Sequence, residues 1–220
     1  MGAVAGELES ARVARVLRDD IVMGRRPPGS RLVERDIATE LKVSRLPVRE
    51  AIRALVSEGI VISRPRTWAV VREYTLDDVR DFAEMRLMIE TMLFVYAAER
   101  HDEEGLAQLL RVLETEEQAA RDGDLTAAQT AAGTFHEYMA VLAGNDVLLE
   151  LAGVFATRVR WIFGLYEDPV AMAAAHRELF SAIATRDVES VRGLLAEHLD
   201  AGREAAERRF AGPPVAEPEE

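Results

Sequence analysis

VSRLPVREAIRALVSEG, residues 43–59, is the stretch whose reading decides the fold. Ser44 is a residue type that opens helices. Pro47 falls in the first turn, where its missing N–H has no helical partner to lose. Val48, Ile52 and Leu55 recur at i, i+4 and i+7 and form one apolar stripe. Arg45, Arg49 and Arg53 recur at i, i+4 and i+8 and form a cationic stripe beside it. A short helix with one packing face and a neighbouring guanidinium face suits a DNA major groove, where Arg reaches phosphates and the O6/N7 edge of guanine. The plainer reading of an arginine stripe is a solvated face, and the flanking sequence weighs against it.

Upstream, LVERDIATEL (residues 32–41) reads as a second short helix with Leu32, Ile37, Ala38 and Leu41 apolar. The break at Lys42-Val43 is short enough for the turn of a helix-turn-helix. Downstream, Ile60-Val61-Ile62 and Ala69-Val70-Val71 are β-branched runs separated by SRPRTW. They predict a hairpin whose tip carries Arg64 and Arg66, a wing. A first helix spans Leu8 to Met23, ended by GRRPPG at residues 24–29. Residues 7–73 are therefore expected to form a winged helix-turn-helix DNA-binding domain, and Tyr74-Thr75 is the only linker.

From Thr75 the pattern is entirely helical. Thr75-x-x-Asp78 is a capping box opening a long helix to about Arg100. Further helices are predicted over about Glu103–Arg121, Leu125–Ala143, Asn145–Tyr166, Glu167–Thr185 and Asp187–Phe210, separated by Gly, Asn, Asp and Pro signals. The expected fold is mostly α, a winged head followed by an antiparallel six-helix bundle over residues 75–210. The tail AGPPVAEPEE (residues 211–220) is Pro-rich and acidic and is expected to be disordered.

Composition bounds the function. The chain has 220 residues, 49% hydrophobic and 30% charged, as in globular proteins. No apolar run approaches the ~20 residues that span a bilayer, and MGAVAGELES is not a signal peptide, so cytoplasm is the expected compartment. There is no cysteine, which excludes disulfides, thiolate zinc sites and cysteine nucleophiles. The net charge of −12 argues at first against DNA binding. Its distribution reverses that. Residues 1–73 carry 14 Lys+Arg against 10 Asp+Glu, and the remainder carries 13 against 29. A positive head on an acidic body fits a protein that touches phosphate with one end.

Three of the four histidines lie on apolar stripes. His136 shares one with Ala132, Met139 and Ala143; His176 with Met172, Leu179 and Ile183; His198 with Val191 and Leu195. His101, in the polar run ERHDEE, reads as solvated. Three core imidazoles on three helices can each bond a neighbouring carboxylate or carbonyl. They can equally converge on one divalent metal, giving one nitrogen each. From spacing alone both readings stand. A three-His metal with an open position is also what a metal-dependent hydrolase would have, and that is the rival function, although no general base shows beside the three rings.

The run ERDIATELKVSRLPVREAIRALVSEGIV resembles the winged helix-turn-helix of GntR-type bacterial transcription regulators. The resemblance implies that Arg35, Ser44, Arg45, Leu46 and Arg49 face DNA; Arg66 joins them from the predicted wing tip. That family's wing usually has a Gly near its tip, where this chain has Pro65-Arg66-Thr67-Trp68. Met85-Arg86-Leu87 with Glu90, Phe135-His136, Ala143-Gly144-Asn145, His176-Arg177-Glu178 and Ala196-Glu197-His198-Leu199 resemble the FadR-like, FCD subfamily. That resemblance implies one divalent transition metal, zinc or nickel, held by His136, His176 and His198. The family's Asp ligand position is Ala132 here, so water or an effector carboxylate would complete the set. It also implies a homodimeric, ligand-responsive regulator, more often a repressor, of a palindromic operator. Its small carboxylate effector would suit an arginine near the metal, Arg86 on the first bundle helix and Arg158 or Arg160 on the fourth, with Arg86 and Arg158 taken as the site residues; a surface or helix-pairing role is the plainer reading of any single one.

Overall fold

The computed structural model describes residues 8–63 and 68–211. The chain divides into two compact units, Met1–Tyr74 and Thr75–Glu220.

In the first unit, α1 (Glu9–Val22) is followed by β1 (Arg31–Leu32), α2 (Glu34–Leu41), α3 (Arg45–Ser57), β2 (Val61–Ser63) and β3 (Ala69–Val71). The stripe read from the sequence is the core: Val48, Ile52 and Leu55 are buried, with Val13, Leu17 and Ile21 of α1. The turn between α2 and α3 passes through Lys42 at φ +54°, a left-handed position that glycine fills more easily. Ser44 takes the extended N-cap backbone, but its side chain makes no capping bond, contrary to the expected cap. Leu32 belongs to a strand and not to α2: Arg31 and Leu32 pair antiparallel with Val70 and Ala69, so the sheet has three strands in the order β1-β3-β2. The expected hairpin is present as β2 and β3, with Val61 opposite Val71. Arg64 and Arg66, expected at its tip, lie outside the described residues.

The second unit is the expected six-helix bundle: α4 (Leu76–Arg100), α5 (Glu103–Asp122), α6 (Leu125–Leu142), α7 (Asp146–Phe163), α8 (Pro169–Ala184) and α9 (Val188–Phe210). Every one of these helices begins on a side-chain cap. Thr75 and Asp78 form the reciprocal capping box, and Asp102, Asn145 and Asp168 are among the other caps that accept first-turn N–H groups. Phe94, Leu113, Phe135, Met139, Ile183 and Leu195 are all buried in the shared core.

His101 corrects an expectation. It sits at the C-cap of α4 and is buried, and its Nε2–H donates to the Ile183 carbonyl at 3.0 Å. The polar letters around it concealed a helix end folded back against α8.

Candidate functional site

Two constellations stand out, one in each unit. On α3 the guanidinium groups project from the exposed face. Arg49 donates through Nε and Nη2 to both oxygens of Glu34, each at 2.9 Å, and Arg45 reaches the same carboxylate at 3.5 Å. These side chains stay open to solvent, Arg45 at 64% and Arg49 at 47% exposure. Hydrogen bonding to Arg49 holds Glu34 below the usual carboxylate range despite some burial. Arg35 is exposed beside Asp36, and Leu46 and Ser44 are exposed next to them. The α3 arginines are thus paired but not sequestered. An exposed ion pair is weak and exchanges its partner readily, so a phosphate or a guanine edge can take the place of Glu34.

In the second unit, His136 on α6, His176 on α8 and His198 on α9 meet. Nε2 of His136 lies 3.2 Å from Nε2 of His176 and 3.1 Å from Nε2 of His198. One ring nitrogen from each of the three falls within 4.8 Å of the others. The outer nitrogens are fixed by carboxylates. His136 Nδ1 is 2.8 Å from Glu90, and His176 Nδ1 is 2.8 Å from Glu116, which is fully buried. Glu90 also accepts from Arg86 Nε at 2.6 Å. Phe135 stacks on His176 with centroids 4.4 Å apart and sets the ring plane. The sequence left separate core histidines and a converging set as alternatives; here each of two rings has its carboxylate, and all three converge.

Electrostatics show what such a set can hold. Burial pushes His176 down to about 3, with Arg86 adding to the effect. Burial also lowers His136 and His198, so the rings are neutral. Burial would raise Glu90, but Arg86 and His136 together outweigh it and keep it ionised. Glu116, with no arginine beside it, is pushed up by burial to about 8. Two self-consistent states follow. In one, a protonated Glu116 donates to His176 Nδ1, and His176 Nε2–H donates to His136. In the other, both carboxylates accept from Nδ1–H, and three Nε2 lone pairs face one point. That second state lacks a donor and calls for a cation. The residues fit a divalent transition metal.

These rings line a cavity of about 300 Å³ in the second unit. Arg86, Glu90 and Ala132 line it too. Arg158 does not: its guanidinium lies over Phe155 and Phe82, and Nη2 donates to the Val154 carbonyl at 3.1 Å. Arg160 lines the cavity instead. Two residues along a helix is about 200° of rotation, so the two arginines face opposite ways. Tyr166 also lines the wall, and its buried hydroxyl has no hydrogen-bond partner among the described residues. Sequence reasoning missed Glu116 inside the run ETEEQ, although it sits in register with Leu109, Leu113 and Ala120 on the buried stripe of α5.

Comparisons with known proteins give the same division. The model described as "Bacterial regulatory proteins, gntR family" matches residues 9–71, and the FCD domain model matches residues 81–201. The chain is 28% identical to the HTH-type transcriptional repressor RspR of Escherichia coli (strain K12), covering 86% of this chain and 84% of that protein. It is 32% identical to the gluconate operon transcriptional repressor of Bacillus subtilis (strain 168), covering 80% and 76%. E. coli McbR/YncC has a similar fold, with a TM-score of 0.80 at 23% identity over 93% of this chain and all of that one.

Proposed function

Since the chain belongs to the gntR family of bacterial regulatory proteins, with an FCD domain as its second unit, we propose that it is a homodimeric repressor of a metabolic operon. In this reading residues 7–73 bind a palindromic operator, and residues 75–210 bind a small carboxylate effector and hold the dimer. Family and relatives are transcription regulators, not enzymes, so the rival hydrolase reading falls. The three rings that suggested it serve to sense. A bacterial transcription regulator works where the DNA is, so we place the protein in the cytoplasm; no helix among the described residues is long and apolar enough to cross a membrane.

Arg45 and Arg49 exchange Glu34 for guanine edges and phosphates, and Arg35, Ser44 and Leu46 fix register on the backbone and bases. The Ser44 hydroxyl, unused as a cap, is available to a phosphate. A second copy covers the exposed apolar side chains of two neighbouring helices, Leu87, Met88 and Met92 on α4 and Val147, Leu151 and Val154 on α7.

His136, His176 and His198 would hold zinc or nickel, and that ion would supply a positive coordination position for an effector carboxylate. Ala132, at the family's Asp position, contributes no donor. Arg86 acts through Glu90, which orients His136. The effector need only favour one DNA-binding state over the other; a tenfold change in operator affinity corresponds to about 1.4 kcal/mol of coupling.

The observation that carries this reading is the convergence of three Nε2 atoms, two of them backed by buried carboxylates, in a chain whose other unit exposes arginines on a recognition helix. Protein purified without chelator should hold about one zinc or nickel per chain by elemental analysis and shift a palindromic duplex selected from a random pool. Absence of metal would remove the metal assistance, and absence of a shift would remove the regulator.

A further inference from the structure

The cavity beside the histidines has a chemistry of its own that narrows its occupant. We propose that it takes a monocarboxylate with a compact apolar body, an aryl- or branched-alkyl-substituted short acid, and not a polyhydroxylated acid. This rests on the reading of the cavity as the effector site and deepens it.

Polar groups on the wall are few. Besides the three imidazoles they are the Arg86–Glu90 pair, Arg160, Glu137 and the Tyr166 hydroxyl. Arg86 is engaged by Glu90 and Arg160 interacts with Glu137, so the negative head group is met by the cation that the three Nε2 atoms would hold. The buried Tyr166 hydroxyl, without a partner among the described residues, is a donor for the same head group. A second carboxylate would be set against Glu90 and Glu137, so the occupant carries one.

The rest of the wall is hydrocarbon. Met85, Ile89 and Leu93 come from α4, and Leu149, Phe155 and Val159 from α7. Space is opened by small residues on the facing helices, Ala132 and Gly133 on α6 and Ala152 and Ala156 on α7. At about 300 Å³ the cavity is at the small end of ligand sites, which run ~300–1,000 Å³. It has room for one ring or a short branched chain. A polyol entering it would leave hydroxyls buried against side chains that cannot pair with them, each such loss weakening binding by about 5- to 150-fold. A ring or branched chain removes its own apolar surface from water against the same wall.

The test uses the full-length protein, metal-free and zinc-loaded. Calorimetry and thermal shift compare phenylacetate and 3-methylbutyrate with gluconate and with the neutral isostere phenylacetamide. At least one apolar acid should bind tenfold or more tightly than gluconate, and phenylacetamide should bind at least tenfold more weakly than phenylacetate. Ala156→Leu, which fills the apolar end, should weaken the acid at least tenfold with helicity unchanged. Should that variant fail to fold, Tyr166→Phe should still weaken the acid severalfold. Gluconate binding more tightly than both apolar acids, no binding by either apolar acid, or full affinity in a folded Ala156→Leu variant would each overturn the inference. A parallel gel shift keeps the two readings apart. Protein that shifts operator DNA but ignores the acids overturns this inference alone, and protein that shifts no DNA overturns the regulator reading whatever the acids do.

Discussion

Arg45 and Arg49 of α3 and His136 and His176 of the bundle are all held by glutamates, and the difference lies in water. Arg49 and Glu34 meet at 2.9 Å on the surface, where Arg49 stays 47% exposed. His176 and Glu116 meet at 2.8 Å with no exposure at all. An exposed pair is screened and exchanges its partner for little free energy. A buried one holds the ring in place and in plane, because losing it leaves a desolvated polar group unpaired. The first arrangement suits a surface that must let go of itself to grip a polyanion. The second suits a preformed cage.

The largest effect that would break this comparison is on the surface side. Replacing Arg45 and Arg49 together with alanine should abolish operator binding in a gel shift, at least a hundredfold, with helicity intact; retained binding would place recognition elsewhere. Next is the cage. His176→Ala should drop metal content from about one per chain toward zero, and Glu116→Gln should weaken zinc about 10–100-fold by competition with a chromophoric chelator. Unchanged affinity in Glu116→Gln would mean that the buried carboxylate only fills space.

A smaller change sharpens the cage. Ala132 is buried on the cavity wall, and Ala132→Asp should add a donor and tighten zinc about tenfold, read by the same competition. The smallest effect returns to the surface. Glu34→Gln should raise affinity for random duplex a fewfold and steepen its salt dependence by about one unit, since two guanidinium groups lose an internal competitor. A weaker interaction with DNA would show that Glu34 positions the arginines more than it restrains them.

Much of this was legible in the sequence, and what escaped it has physical causes. Capping residues and a 3.6-residue apolar period are local signals, so the six bundle helices and the three inward histidines could be read directly. Strand β1 could not: two residues show no period, and its partner, Val70 opposite Arg31, lies far along the chain. Glu116 and His101 were hidden by their neighbours. Each sits in a run of charged letters, yet each is buried because tertiary packing, not local polarity, closes over it. Glu116 was recoverable from helix register alone, whereas nothing local announces the Ile183 carbonyl that holds His101. Arg158 and Arg160 could not be ranked without knowing which face of α7 turns inward.

The most direct measurement is a fluorescence-anisotropy titration of Arg49→Lys against a duplex selected by the parent protein from a random pool, alongside a scrambled duplex. Lysine keeps the charge but loses the two-pronged donor. The preference for the selected duplex should fall about tenfold or more while binding to the scrambled one and its salt dependence stay the same. An undiminished preference would contradict the claim that the third helix reads bases through its guanidinium groups.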